Sequence, residues 1–412
     1  MKATRAGETR GIAGSLIFQV ITLLMIIPST YVDGYEKGRE VDTDRATNYV
    51  THSMIGDPLA DAMIADCDPL GQKESSRLIK LGMTGDDDGL RDAPESVREF
   101  FASMNELPDW VDLSSFLPGC SLFHRNTRLV LAGMVGGVLI EGFSTNIAQS
   151  FFLTGRLRDQ GIRRLKQNNR HMLEIFMPGG MDRFADGWTH SVRVRLVHAR
   201  VRYLLSKSDE WDVEELGTPI SAAHVGFAIS AFSARLLEHL RSLGASFDEE
   251  ESRSFMNVWR YSGYLMGIPE TILFTDKEDA LEIFRIGRLC EPHASLESIV
   301  MAASLINSAP LFAGLSQRDE QRKLANYVAQ VSRALIGNEL ADELRYPKGS
   351  TLGILWKFRL MNRIEAVRKK LNPEYNRENT NMASILAVSM FDDEGISYKL
   401  PDHIYAERSS KW

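Results

Sequence analysis

The 412 residues carry 55 acidic against 48 basic side chains, a net charge of −7, with 44% hydrophobic and 25% charged residues. That length suffices for a sizeable core in one large domain or two, and the composition is that of an ordinary globular protein. The acidic balance argues against a general nucleic-acid binder. Cys67, Cys120 and Cys290 are far apart and form no Cys-x-x-Cys word, which removes zinc-finger, thioredoxin and covalent c-type haem signatures and points to a chain that does not depend on disulfides.

Taken in chain order, the first feature is the uncharged, apolar stretch from Gly11 to Val32, preceded by Lys2, Arg5 and Arg10. About 20 such residues cross a bilayer as a helix, with the basic flank on the cytoplasmic side. The stretch is therefore expected to associate the chain with a membrane. A cleaved signal and a buried first helix of a cytoplasmic protein are the alternatives, since Gln19, Thr22, Pro28, Ser29 and Thr30 weaken the lipid-facing case. Residues 33–50 read as a polar connector. Helical spacing resumes over 57–83, and Thr84-Gly-Asp-Asp-Asp-Gly89 reads as a solvated loop that lacks EF-hand spacing. A short amphipathic helix is expected over 94–104.

From Arg128 to Phe152 the chain is apolar, with Gly133, Gly136, Gly137 and Gly142 interspersed and Glu141 the only charge. A core helix lining a cofactor site is the preferred reading, and a second membrane span is the alternative. Further helices are expected over 156–176, 188–206, 219–243 and 250–268, with helical periodicity again over 276–345. The tail from 372 is polar and interrupted. The chain thus divides into an apolar segment with connector (1–45), a helical domain (46–370) and a tail (371–412).

The run Arg195-Leu-Val-His-Ala-Arg-Val-Arg202 contains no helix breaker. At about 100° per residue, Arg195, His198 and Arg202 fall within an arc of roughly 60°. Beside them lies an apolar stripe of Val194, Val197, Val201 and Leu205. An imidazole placed between a buried and a cationic face can ligate a metal, and guanidiniums one turn away can hold carboxylates in bidentate pairs. Those are elements a haem requires. A hydrogen-bonded structural histidine satisfies the same periodicity, so the pattern alone leaves both open.

Other words accompany this one in order: Gly56-Asp-Pro-Leu-Ala-Asp61, Thr154-Gly-Arg-Leu157, Arg163-Arg-Leu165, Pro178-Gly-Gly180, Gly187-Trp188, Gly217-Thr-Pro-Ile220, Phe232-Ser233 and Trp259-Arg-Tyr-Ser-Gly-Tyr-Leu-Met-Gly267. Together they resemble the rubber oxygenase (latex-clearing protein) family, which includes fungal endoplasmic-reticulum oxygenases of mycophenolic acid synthesis. The resemblance implies an all-α multi-helix bundle with a globin-like haem-binding core. It implies a haem b with His198 as proximal iron ligand, and oxidative cleavage of isoprenoid double bonds by dioxygen in the characterised members. Arg195 and Arg202 are expected to orient the haem region, through propionates or structural carboxylates.

By the same resemblance, Arg164 and Asn168 stand where rubber-cleaving relatives hold an arginine and a hydroxyl residue near the distal haem face. Gln167 takes the place where some relatives carry lysine. The Asn168 amide can donate a hydrogen bond to bound dioxygen; a solvated basic helix face is the other reading of these residues. Where relatives follow the Pro-Ile pair with an asparagine and an acid, this chain has Ser221 and His224. Thr218 or Ser221 can cap the next helix, and His224 is a candidate second axial ligand or proton relay. Glu141 requires a partner if buried, and is a candidate general base or half of a structural ion pair with an arginine.

The remaining histidines form no ligand word. His190 lies two turns before His198, and the resemblance selects His198. Without a Gly-x-Ser-x-Gly or P-loop word, hydrolase and nucleotide-dependent classes are unsupported. The expected function is a haem b-dependent oxygenase acting with dioxygen on a hydrophobic, unsaturated substrate. The alternatives are a non-catalytic haem sensor or electron-transfer protein whose sixth position is closed by His224 or Lys166, and a haem-free helical membrane-associated protein.

Overall fold

Acidic and hydroxyl side chains fix where the helices begin. In the computed structural model, which describes residues 26–153, 169–312 and 315–371, Asp42 accepts the Arg45 amide ahead of Thr43–His52. Asp57 accepts the Ala60 amide ahead of Pro58–Cys67, and Ser221 accepts the His224 amide ahead of Ala222–Ser230. Asp248 and Glu251 form a reciprocal capping box at the start of Glu249–Leu265. Each bond satisfies an amide that has no acceptor within its own helix. Every regular element among the described residues is helical, as the sequence periodicity requires.

The helix Glu249–Leu265 runs through the middle. It packs on Leu117–Arg125 along one side and on Asp186–Leu205, the helix that bears His198, along another. Phe123, Phe176 and Phe255 stack between these elements with centroids 4.7 and 4.6 Å apart, and Trp259 lies 5.4 Å from the Phe232 ring. Such offset stacks add directional attraction to the burial of large apolar surfaces. The three cysteines are free and buried.

Three sequence expectations change. Residues 33–50 are not a connector: they form the helices Val32–Val41 and Thr43–His52, which pack against each other and against Lys277–Cys290. Their inward residues are tyrosines, Tyr35 and Tyr49, whose apolar rings are buried and whose hydroxyls find partners inside. The uncharged stretch 11–32 does not continue as one membrane helix to its end, because Ser29–Tyr31 is a 3₁₀ turn and Tyr31 is fully buried in the domain. Residues 11–25 lie outside the described residues.

The apolar stretch 128–152 is also not one helix. Thr127–Phe143 and Ile147–Leu153 meet at 93°, because Ser144 Oγ and Thr145 Oγ1 donate back to the carbonyls of Glu141 and Gly142 at 2.6 and 2.8 Å. These hydroxyls compete with continuation of the helical ladder. Val130, Met134, Val138 and Ile140 are buried, which fits the core placement. Among the described residues no single helix is long and apolar enough to cross a membrane. The tail from 372 lies outside the described residues.

Candidate functional site

His198 is half-buried on the helix Asp186–Leu205, whose Trp188, Val192, Leu196, Ala199 and Leu205 enter the core. One turn before it, Arg195 is 7% exposed. Its Nε donates to Asp57 Oδ2 at 2.5 Å and its Nη2 to Asp57 Oδ1 at 2.9 Å. The guanidinium also lies 4.9 Å from the Phe100 ring. One turn after His198, Arg202 Nε donates to Asp61 Oδ1 at 2.7 Å and Nη1 to the Ile220 carbonyl at 3.0 Å.

Both carboxylates come from the start of Pro58–Cys67. Asp57 caps that helix, and Asp61 Oδ2 reaches back to the Asp57 amide at 3.0 Å. The two arginines that frame His198 are therefore gripped by one rigid helix start. Of the two partners expected for Arg195 and Arg202, the structure supplies structural carboxylates. Arg195 is held in a bidentate pair, and Arg202 uses Nε and Nη1 in this way while its buried Nη2 has no protein partner among the described residues.

Electrostatics follow from burial. Desolvation pushes the Asp57 carboxyl up, but the Arg195 guanidinium beside it holds it below the usual carboxylate value. Arg195 is conversely raised, with Asp57 overriding the cost of burial. For Asp61, burial outweighs the opposing pull of Arg202, and its carboxyl is raised.

Two further sequence words close around this clamp. At Gly267, φ is +83°, and a Cβ would lie 2.1 Å from Asp57 Oδ2 and 2.5 Å from Arg195 Nε. Only a residue without a side chain leaves room for the pair. Ile220 is held at φ +45°, a rare conformation for a β-branched residue, while its carbonyl meets Arg202. The words around Asp57, Ile220 and Gly267 thus share one physical task, which is to seat the His198 helix.

The other sequence candidates separate from this centre. Arg164 and Asn168, with Lys166 and Gln167, lie outside the described residues. Glu141 is buried and both its oxygens are used: Arg235 Nε donates to Oε1 at 2.9 Å, and His239 Nε2 lies 3.1 Å from Oε2. Burial raises its carboxyl, yet His239 and Arg235 together bring it below its ordinary value. This is the ion-pair alternative, and it leaves no free base at Glu141. The pair forms where two π-helical turns, Met134–Val138 and Ala231–Arg235, pack together.

His224 is not placed to be a second axial ligand. Its Nδ1 lies 3.0 Å from Ser221 Oγ and its Nε2 lies 2.9 Å from the Tyr31 hydroxyl. Both ring nitrogens face protein partners around Glu291, a fully buried carboxylate. Glu291 accepts from the Tyr49 hydroxyl at 2.7 Å, the Tyr31 hydroxyl at 3.2 Å and the Asn146 amide at 2.9 Å. Burial pushes this carboxyl up, and His224, the Asn146 amide and Tyr49 hold it below the ordinary value. Sequence reasoning missed the roles of Asp57, Asp61, Gly267, Arg235, His239 and Glu291. Asp57 and Asp61 left a signal, two acids one turn apart around a helix-starting proline, and Gly267 closes the word that begins at Trp259.

Known proteins share this architecture. The solved structure titled "Structure of Latex Clearing Protein LCP in the closed state" superposes with a TM-score of 0.63 at 18% identity, covering 85% of this chain and 95% of that one. A rubber oxygenase from Streptomyces sp. (strain K30) is 21% identical over 231 residues, 54% of this chain and 55% of the relative. The chain thus spans about half the length of that curated relative. Residues 122–366 match the family described as "ER-bound oxygenase mpaB/B'/Rubber oxygenase, catalytic domain". That match takes in more than half of the chain and the whole His198 helix, and the protein belongs to this family.

Proposed function

We propose that this protein is a haem b-dependent oxygenase that uses dioxygen on a hydrophobic, unsaturated substrate of isoprenoid or lipid-like chemistry, with His198 as the axial ligand. The observation that carries the proposal is the seat of His198, a half-buried imidazole between two arginines that are each locked to a carboxylate. The donor set suits a porphyrin. No three His, Cys, Asp or Glu side chains gather to hold a metal among the described residues, and a porphyrin iron asks the protein for one such imidazole.

When bound, the haem supplies the redox chemistry with dioxygen. The chain's own part is positional. The Asp57–Arg195 and Asp61–Arg202 pairs fix the rotation of the His198 helix, and Val194, Val201 and Leu205 form an apolar stripe beside His198 on that helix. By family resemblance Arg164 and Asn168 would be the residues that act toward dioxygen, with the Asn168 amide as a hydrogen-bond donor. Gln167 and Asn168 in place of the residues of rubber-cleaving relatives favour a short terpenoid or unsaturated lipid over polyisoprene. Attachment to a membrane through the apolar residues 11–25 belongs to the same proposal and would bring such a substrate near.

The visible spectrum of the purified protein tests this reading. A Soret band that shifts when the reduced protein takes up carbon monoxide is expected. His198→Ala should lose most of the haem while helical circular dichroism is retained. Full haem occupancy and an unchanged spectrum in that variant would remove His198 as the ligand. Reduced, haem-loaded protein should consume dioxygen and form carbonyl products with short isoprenoids, and little with latex. No consumption across a broad panel of unsaturated lipids would overturn the oxygenase and favour a carrier or sensor.

A further inference from the structure

The last described helix, Ile354–Leu371, has two opposite faces that ask for different surroundings. Ile354, Leu355 and Phe358 are partly buried against the bundle, where the helix rests on Arg318–Ile336 and Leu236–Leu243. Arg359 Nε ties it to the Ser242 carbonyl at 2.7 Å. On the far side Trp356, Leu360, Ile364, Val367 and Leu371 are exposed, Trp356 at 66% and Leu371 at 79%. At about 100° per residue these five fall within an arc of roughly 80°, directly opposite the inward face. Large apolar side chains scattered singly on a surface need no explanation, but a continuous stripe of them with a tryptophan does.

Basic residues border the stripe on both sides. Lys357 and Arg368 flank one edge and Arg359 and Arg363 the other, all of them exposed. This cationic helix stands on a chain whose net charge is −7. We infer that Ile354–Leu371 is a docking surface for a membrane containing anionic phospholipid, lying in the plane of the interface with its apolar stripe in the acyl region. Long basic side chains at the edges of an apolar stripe keep their stems in the apolar layer and place their charge at the headgroups. Each also gains from the negative surface potential of anionic lipid. The helix is too polar to span a bilayer, so its place is on the surface. This contact is separate from the apolar residues 11–25 and independent of the haem assignment. It fixes which side of the bundle faces the lipid.

A local probe separates this helix from any other membrane contact. The three native cysteines are buried, so Leu360→Cys in the full-length protein can be labelled selectively with an environment-sensitive fluorophore. Asp88→Cys, in the exposed Thr84–Gly89 turn, is the control. With vesicles of phosphatidylcholine containing about 30% phosphatidylserine, the label at 360 should shift to the blue and the label at 88 should not. The shift should be lost in about 1 M salt, where the screening length falls to ~3 Å. The Lys357→Glu, Arg363→Glu, Arg368→Glu variant should weaken the partitioning reported at 360 by on the order of fivefold per charge, with circular dichroism unchanged. Vesicle-bound protein without a shift at 360 would overturn the assignment. So would a blue-shifted label before vesicles are added, which would mean that residues 372–412, a second copy or a protein partner covers the stripe.

Discussion

Two buried carboxylates, Asp57 and Glu291, solve the same problem in different ways. Asp57 meets a guanidinium that is always charged, in a bidentate pair closed by the backbone of Gly267. Glu291 meets two tyrosine hydroxyls, an amide and an imidazole. The first arrangement fixes the orientation of one helix, since the planar fork of arginine has a single good fit. The second gathers segments far apart in sequence, Tyr31, Tyr49, Asn146 and His224, around one acceptor. Orientation of the candidate site thus rests on a permanent charge pair, and closure of the bundle on hydrogen bonds to a carboxylate.

The comparison predicts unequal costs. Asp57→Ala leaves Arg195 buried without its counter-charge, and should cost ~3–5 kcal/mol in urea unfolding. It should also weaken haem retention. A loss below about 1 kcal/mol, as for an exposed pair, would mean that the clamp is not dry. Gly267→Ala attacks the same pair from the backbone side, and strain at positive φ together with the displaced carboxylate should cost ~1–3 kcal/mol. Glu291→Gln keeps the shape but loses one of the two acceptor oxygens and turns an NH2 toward a buried donor, so it should cost about 1–3 kcal/mol. If that variant is hit harder than Asp57→Ala, the contrast is inverted.

Acid sharpens the contrast further. Asp57 and Glu291 are both held below their ordinary values. Their contribution is complete above the unfolded carboxylate values and is lost as pH falls through the lower folded ones. His52 and His171 act earlier, because burial lowers each to about 4. Between about pH 6.5 and 4 the unfolded chain binds these protons and the folded chain does not, so stability falls with pH before the carboxylates respond. The urea midpoint should therefore start to drop below about pH 6.5, and His171→Gln should reduce that slope by ~1.4 kcal/mol per pH unit. A midpoint that stays flat to pH 5 would show that the imidazoles are not buried in neutral form.

Much of this was legible in sequence where the signal is local. The helix around His198 follows from its spacing, and Glu141, a lone charge in an apolar run, announced that it needed a partner. Which partner it takes did not follow, because Arg235 stands 94 positions away. Asp57 and Asp61 stood out as a word, but their pairing with arginines 138 and 141 positions on is a tertiary fact. Glu291 left no trace, since its partners share no segment and no spacing. The bend at Ser144-Thr-Asn146 was readable: three such residues in a row are a turn signal, outweighed here by the apolar run around them.

The paired π-helical turns carry a consequence for how this chain can change length. Each π turn holds one residue more than the α-helical ladder. Deleting a residue within Met134–Val138 or Ala231–Arg235 would restore the α-helical ladder there, because the wide turn absorbs the extra residue and the helix beyond it keeps its phase. A deletion in the α-helical stretches beside them has no such outlet and rotates everything after it by about 100°, carrying Glu141 and His239 away from each other and stranding a buried charge. The two turns therefore act as shims, and relatives of this protein are expected to gain or lose single residues of these helices at these turns.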